Sequence, residues 1–228
     1  MILAAGRGER MRPLTDRVPK ALVEAGGRPL IVYLIERLAR AGIRDLVVNV
    51  SHLAGMIEQS LGDGSNYGVR IVYSREARAL ETGGGIAYAL PLLGAEPFVV
   101  VNSDIYSDFD FAGLADVGPR LAREACLAHL VLVDNPPHHP RGDFSLRADA
   151  VSADADAPRL TFSGIGAYAP RLFAGVARGS RCALSALLGP AMAERQVAGE
   201  HFRGLWADVG TPQRLADLER ALASRAGR

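Results

Sequence analysis

The chain has 228 residues, 49% of them hydrophobic, with 26 basic and 25 acidic side chains and a formal net charge of +1. That composition excludes a disordered chain, and the balanced charge gives no electrostatic reason to expect a nucleic acid or an anionic membrane as partner. No apolar run approaches the roughly 20 residues that cross a bilayer, no secretory leader is evident, and Cys126 and Cys182, outside any CxxC or Cys/His metal spacing, read as free thiols of a reducing, cytoplasmic compartment.

In chain order, a first apolar run covers residues 2–5 and passes into a loop rich in glycine and arginine. A helix is expected over 29–41: Leu30, Leu34, Leu38 and Ala41 fall on one stripe, Pro29 suits a first turn, and Gly42 suits a stop. Strands are expected at 46–50, 69–73, 98–101 and 127–133, with short helices at 54–61 and 86–93. The strand runs are rich in Val, Ile and Leu and mostly continuous, the pattern of strands covered on both faces. Beyond Pro136 the pattern changes. Residues 143–152 alternate as a hairpin, 160–168 read as a strand and 183–194 as a helix. A glycine-rich strand pair follows at 197–209, and a last helix starts near 211. Alternating strands and helices predict a three-layer α/β fold. Its mostly parallel central sheet is flanked by helices and carries a small β-hairpin lobe, all in one domain over 1–228.

The segment Leu3-Ala4-Ala5-Gly6-Arg7-Gly8-Glu9-Arg10-Met11-Arg12-Pro13 carries the strongest chemical signal. Glycines allow φ > 0 and close approach of backbone N–H groups to an anion. Arginines supply forks that match phosphate oxygens. Lys20 closes the same region. A Walker A loop would need Gly-Lys-Ser/Thr, and a dinucleotide fingerprint would need glycine where Met11 stands.

Two aspartates stand where apolar strands end. Asp104 follows Phe98-Val99-Val100-Val101-Asn102-Ser103, at the carboxyl end of a strand where α/β folds bind ligands, and suits a hard cation with oxygen ligands. Asp208, in Trp206-Ala207-Asp208-Val209-Gly210-Thr211, is the second candidate. Gly83-Gly84-Gly85 reads as a glycine loop opening a helix. The His138-His139 pair lacks a spaced third metal ligand and reads as a solvated loop, and Arg141-Gly142-Asp143 reads as a turn.

The first segment resembles the signature loop of the sugar-1-phosphate nucleotidyltransferases, matched here by Gly6, Gly8, Arg10, Pro13, Thr15, Pro19 and Lys20. The late Trp206-x-Asp208-x-Gly210-Thr211 motif also matches. The likeness extends over nearly the whole chain to a compact branch of that family, the N-acetylmuramate-1-phosphate uridylyltransferases. It runs through Leu80–Gly85, Leu130–Asn135, the histidine pair with Arg141–Phe144, Leu160–Ile165 and Gly199–His201.

The resemblance implies a Rossmann-like nucleotidyltransferase fold and transfer of UMP from UTP to a sugar 1-phosphate, with pyrophosphate released. Gly6, Arg7, Gly8, Glu9, Arg10 and Lys20 would wrap the triphosphate, with Arg10 and Lys20 catalytic. Gly83, Gly84 and Asn102 would meet the base and ribose, and Gly142 and Asp208 the sugar phosphate. Asp104, also catalytic, and Asp208 would hold Mg²⁺. The expected molecule is a monomer.

Three departures stand out. Ser103 occupies a usual glycine position, which predicts crowding at the nucleotide edge. Asp154–Pro158 replaces a Glu-Lys-Pro motif, and Cys182 stands near a usual lysine. Other readings are a different hexose-1-phosphate uridylyl-, thymidylyl- or guanylyltransferase, a glycosyltransferase using Asp108-Phe109-Asp110 as its metal motif, or a non-catalytic nucleotide-sugar-sensing subunit.

Overall fold

The computed structural model describes residues 1–123 and 126–226. In the N-terminal part the elements are β1 (Ile2–Leu3), β2 (Glu24–Ala25), β3 (Arg28–Pro29), α1 (Leu30–Arg40), β4 (Asp45–Val50), α2 (Ala54–Leu61), β5 (Arg70–Arg75) and α3 (Glu81–Leu93). The middle holds β6 (Phe98–Asn102), β7 (Ile105–Ser107), α4 (Gly118–Arg123), β8 (Ala128–Val133), β9 (Phe144–Arg147), β10 (Ala150–Ser152) and β11 (Arg159–Tyr168). The last elements are α5 (Leu184–Ala193), β12 (Val197–Phe202), β13 (Trp206–Asp208) and α6 (Pro212–Ala226). They fall into two compact units, each discontinuous in sequence.

One unit combines Ile2–Arg78, Asn102–Asp110 and the chain from Leu205 onward. Its β5, β4 and β1 run parallel, with Ile2 opposite Val48 and Asp45 opposite Arg70. Leu46–Val50 is buried throughout, as the continuous apolar run predicts for a strand covered on both faces. The exception is polar Asn49, 3% exposed. It resides there because it accepts the Ala4 N–H at 2.8 Å and donates to Glu76 at 2.6 Å, so no buried amide group is orphaned.

Helix α1 buries Leu30, Ile31, Leu34, Ile35 and Leu38. It ends where Gly42 takes φ +81° and the Ile43 N–H returns to the Leu38 carbonyl at 2.9 Å, a Schellman closure. A second core gathers Met11, Val23, Leu30, Tyr106, Val209 and Leu218. β2 and β3 form a hairpin through Gly26-Gly27, both at positive φ, an element the sequence reading overlooked.

The other unit comprises Met1, Ala79–Val101 and Phe111–Gly204. β8, buried at every residue, pairs parallel to β12 and antiparallel to β11, which also runs antiparallel to β6. The expected hairpin forms as β9 and β10, and β10 joins β12. It thereby extends the sheet and covers an edge that would otherwise offer unpaired backbone groups.

The strand pair expected at 197–209 does not form a hairpin: β12 pairs with β8, and β13 pairs with β7. Period-2 alternation identifies strands but carries no information about their partners. The helix expected at 86–93 begins five residues earlier, at Glu81. Glycine is a poor helix former, so Gly83-Gly84-Gly85 reads as a loop on propensity alone. Packing overrides propensity: a Cβ on Gly83 would sit 3.0 Å from the Cys182 carbonyl oxygen, and the Gly84 N–H donates to that carbonyl at 2.9 Å.

Candidate active site

The loop after β1 is held at three points. Ala4 is tied through Asn49 to Glu76. Gly8 takes φ +68°, and its carbonyl accepts the Met11 N–H at 2.9 Å and the Thr15 hydroxyl at 2.7 Å. The Met11 side chain is fully buried in the second core. Between these anchors Gly6, Arg7, Glu9 and Arg10 are exposed. The loop is thus a fixed frame with two cationic side chains on its open side. A Cβ on Gly8 would lie 2.9 Å from the Thr15 methyl and 3.1 Å from Lys20 Cβ, so glycine here permits both left-handed backbone and close approach to Lys20.

Lys20 donates to Asp104 Oδ2, an ion pair with side-chain exposures of only 12% and 29%. Asp104 lies in the turn between β6 and β7. β7 pairs antiparallel with β13, setting Asp208 opposite Ile105, and the Val209 N–H donates to the Asp104 carbonyl at 2.7 Å. The two acids, 104 residues apart in sequence, are therefore neighbours across one two-stranded ribbon. Asp208 in turn is paired with Arg214, with exposures of 26% and 14%. Arg214 belongs to the first turn of α6, where the Thr211 hydroxyl caps its N–H at 3.3 Å. The place where Gly210 lacks a side chain is approached by the Arg214 guanidinium and by Arg10, whose Nη2 comes within 3.2 Å of it. Arg10, Lys20, Arg214, Asp104 and Asp208 thus gather around one ribbon, three cations and two anions.

Two carboxylates suit a hard divalent cation that takes its remaining ligands from water and phosphate oxygens, as Mg²⁺ characteristically does. Among the described residues no three His, Cys, Asp or Glu side chains are grouped to hold a metal unaided, so water and phosphate oxygens would complete the shell.

Other candidates lie as follows. Asn102 ends β6 and is half-buried. Ser103 is buried, 5% exposed. Gly83 and Gly84 are in α3 of the second unit, and the space above them is filled by the backbone of Ser180–Ala183. Gly142 takes φ +60°, with Asn135 Oδ1 2.7 Å from where a Cβ would stand. Its residue type is set by the chain's own packing. His139 pairs with Asp143 at 3.0 Å, whose other oxygen accepts the Phe162 N–H at 2.8 Å, so the histidine loop is stabilised internally. Asp108 pairs with Arg225 at 2.9 Å, and Phe109 is buried. Arg214 and Asn49 are the functional candidates that sequence reasoning missed. The signal for Arg214 was its place in the first turn of a helix opening at Thr211-Pro212, six residues after Asp208.

Comparison with known proteins agrees with this geometry. The nucleotidyl transferase family profile matches residues 1–142. The chain is 50% identical over 222 residues to an N-acetylmuramate alpha-1-phosphate uridylyltransferase of Neisseria meningitidis serogroup B, covering 96% of each protein. It is 38% identical to the protein of the same description from Caulobacter vibrioides, over 98% of this chain and 96% of that one. A Bacillus anthracis protein assigned as a glucose-1-phosphate thymidylyltransferase shares the fold, with a TM-score of 0.84 at 21% identity over 97% of this chain and 93% of that one. With the loop, the paired aspartates and these matches together, the chain belongs to the nucleotidyl transferase family, among the sugar-1-phosphate nucleotidyltransferases.

Proposed function

We propose that the chain transfers UMP from UTP to N-acetylmuramate 1-phosphate, releasing pyrophosphate, as a step in cell-wall sugar recycling. The observation that carries this reading is the meeting of Lys20–Asp104 and Arg214–Asp208 on one ribbon, beside Arg10 of the Gly6–Arg12 loop. The substrate assignment is supported by the 50% identity to the Neisseria protein.

The sugar phosphate is already ionised, so its attack on the α-phosphorus needs no general base. The chain's contribution is alignment and charge neutralisation. Arg10 and Lys20 offset charge on the departing pyrophosphate. The N–H groups of Gly6–Glu9, with Arg7, cradle the triphosphate. Asp104 and Asp208 would hold Mg²⁺, which when bound polarises phosphoryl oxygens. By family likeness Asn102, at the end of β6, serves the nucleotide. The free thiols of Cys126 and Cys182 fit a reducing cytoplasm, and among the described residues no helix is long and apolar enough to cross a membrane.

The test is a panel of UTP, dTTP, GTP and CTP against the 1-phosphates of N-acetylmuramate, N-acetylglucosamine, glucose and mannose, read by pyrophosphate release. Turnover is expected with UTP and N-acetylmuramate 1-phosphate. The second reading is a mannose-1-phosphate guanylyltransferase, favoured by 30% identity to a Mycobacterium tuberculosis protein of that description. It predicts GTP with mannose 1-phosphate instead. Silence across the panel would overturn both.

A further inference from the structure

We propose that Arg214 is a built-in counter-ion that occupies Asp208 until a triphosphate arrives, so that the chain takes up its divalent cation together with the nucleotide rather than alone. The inference rests on the functional reading above and deepens it at one residue, a positioning residue for Asp208.

The reasoning starts from charge. Asp104 is engaged by Lys20 and Asp208 by Arg214, so each acid of the pair already carries a protein cation. A divalent ion entering by itself must displace an ammonium or a guanidinium from its carboxylate without bringing a replacement anion. An ion entering with a triphosphate supplies the displaced cation with phosphate oxygens in the same step. Metal and nucleotide binding are therefore coupled, and by linkage each strengthens the other.

Arg214 is better suited to this exchange than Lys20. Its Nη1 lies on Asp208, while its Nη2 faces the empty side of Gly210, which Arg10 also approaches. A planar fork can hold a carboxylate with one nitrogen and a phosphate with the other in a fixed geometry, whereas an ammonium brings both anions to a single nitrogen. Two guanidinium groups converging on one glycine repel each other, and an anion placed between them removes that repulsion. Thr211 fixes the arrangement, its hydroxyl accepting from both the Arg214 N–H and Nε, at 3.3 and 3.4 Å.

The experiment titrates Mn²⁺ into the full chain without nucleotide, read by electron paramagnetic resonance of free Mn²⁺ and by quenching of Trp206. This is the sole tryptophan, two residues before Asp208. Releasing Asp208 from a charge-assisted partner should tighten Mn²⁺ binding by roughly tenfold in Arg214→Gln. The same variant should release pyrophosphate more slowly and show a raised KM for UTP. Arg214→Lys, which keeps a cation but not the fork, should fall between it and wild type. It also carries the test should the glutamine variant show no cooperative melting transition. Mn²⁺ affinity unchanged or weakened in both variants, with an active wild type, overturns the inference alone. A wild type that neither binds Mn²⁺ in the presence of UTP nor releases pyrophosphate overturns the functional reading with it.

Discussion

Replacing Asp104 by asparagine separates a structural counter-ion from a participant in the chemistry. The new side chain keeps the shape of the old one, but the Lys20 ammonium, whose side chain is only 12% exposed, then faces a neutral amide. A hydrogen bond to a charged group contributes roughly 1.5–3 kcal/mol. Asp104 is 29% exposed, so water screens part of this interaction, and the expected loss of stability is about 1–2 kcal/mol. In a chain of this length that corresponds to a fall in Tm of roughly 2–8 °C. The catalytic loss should be larger, because the role proposed for this charge is to position a metal against developing phosphoryl charge. Deleting one such electrostatic contact typically costs about 10²–10³ in kcat. Differential scanning calorimetry gives the first quantity, and pyrophosphate release at saturating UTP and sugar phosphate gives the second. A variant that keeps more than about a tenth of the wild-type rate would refute the assignment. So would a rate loss that disappears on assaying well below the melting transition, since the defect would then be unfolding alone.

Other expectations follow from the same geometry. Gly84→Ala places a Cβ against the Ser180 carbonyl and 3.0 Å from the Cys182 backbone nitrogen. It should destabilise by about 1–3 kcal/mol, measured by thermal melt, whether or not nucleotide is present. Asn49→Ala leaves the buried Ala4 N–H without its acceptor and Glu76 without that donor. A stability loss of roughly 2–4 kcal/mol is expected, with KM for UTP raised more than kcat is lowered, because the loop loses an anchor rather than a reactive group. Chelation with EDTA should abolish pyrophosphate release, and excess Mg²⁺ or Mn²⁺ should restore it; activity that survives chelation would exclude a divalent requirement.

What could be read from the sequence was what depends on local chemistry. The strands at 46–50 and 98–101 declare themselves because a strand covered on both faces reads as a near-continuous apolar run. The phosphate loop declares itself because glycine and arginine together have few other reasons to follow a buried strand. What depends on distant packing was hidden. Gly83 and Gly84 look like a loop because the backbone at 180–183 that makes room for them a helical matter is a hundred residues away. The partners of β12 and β13 could not be read, since both strands have the same pattern whatever they pair with. Arg214 looked like one more arginine on an amphipathic terminal helix. Only the β7–β13 register turns it toward Asp208.

That ribbon also has a bearing on how the protein is made. Ile105–Ser107 emerges from the ribosome long before Trp206–Asp208 does, and the ribbon needs both. Through most of translation Asp104 thus lacks the companion acid with which it is proposed to hold a metal, because the ribbon that brings Asp208 beside it cannot yet form. The ribbon closes in one late event, when β13 meets a strand made some hundred residues earlier.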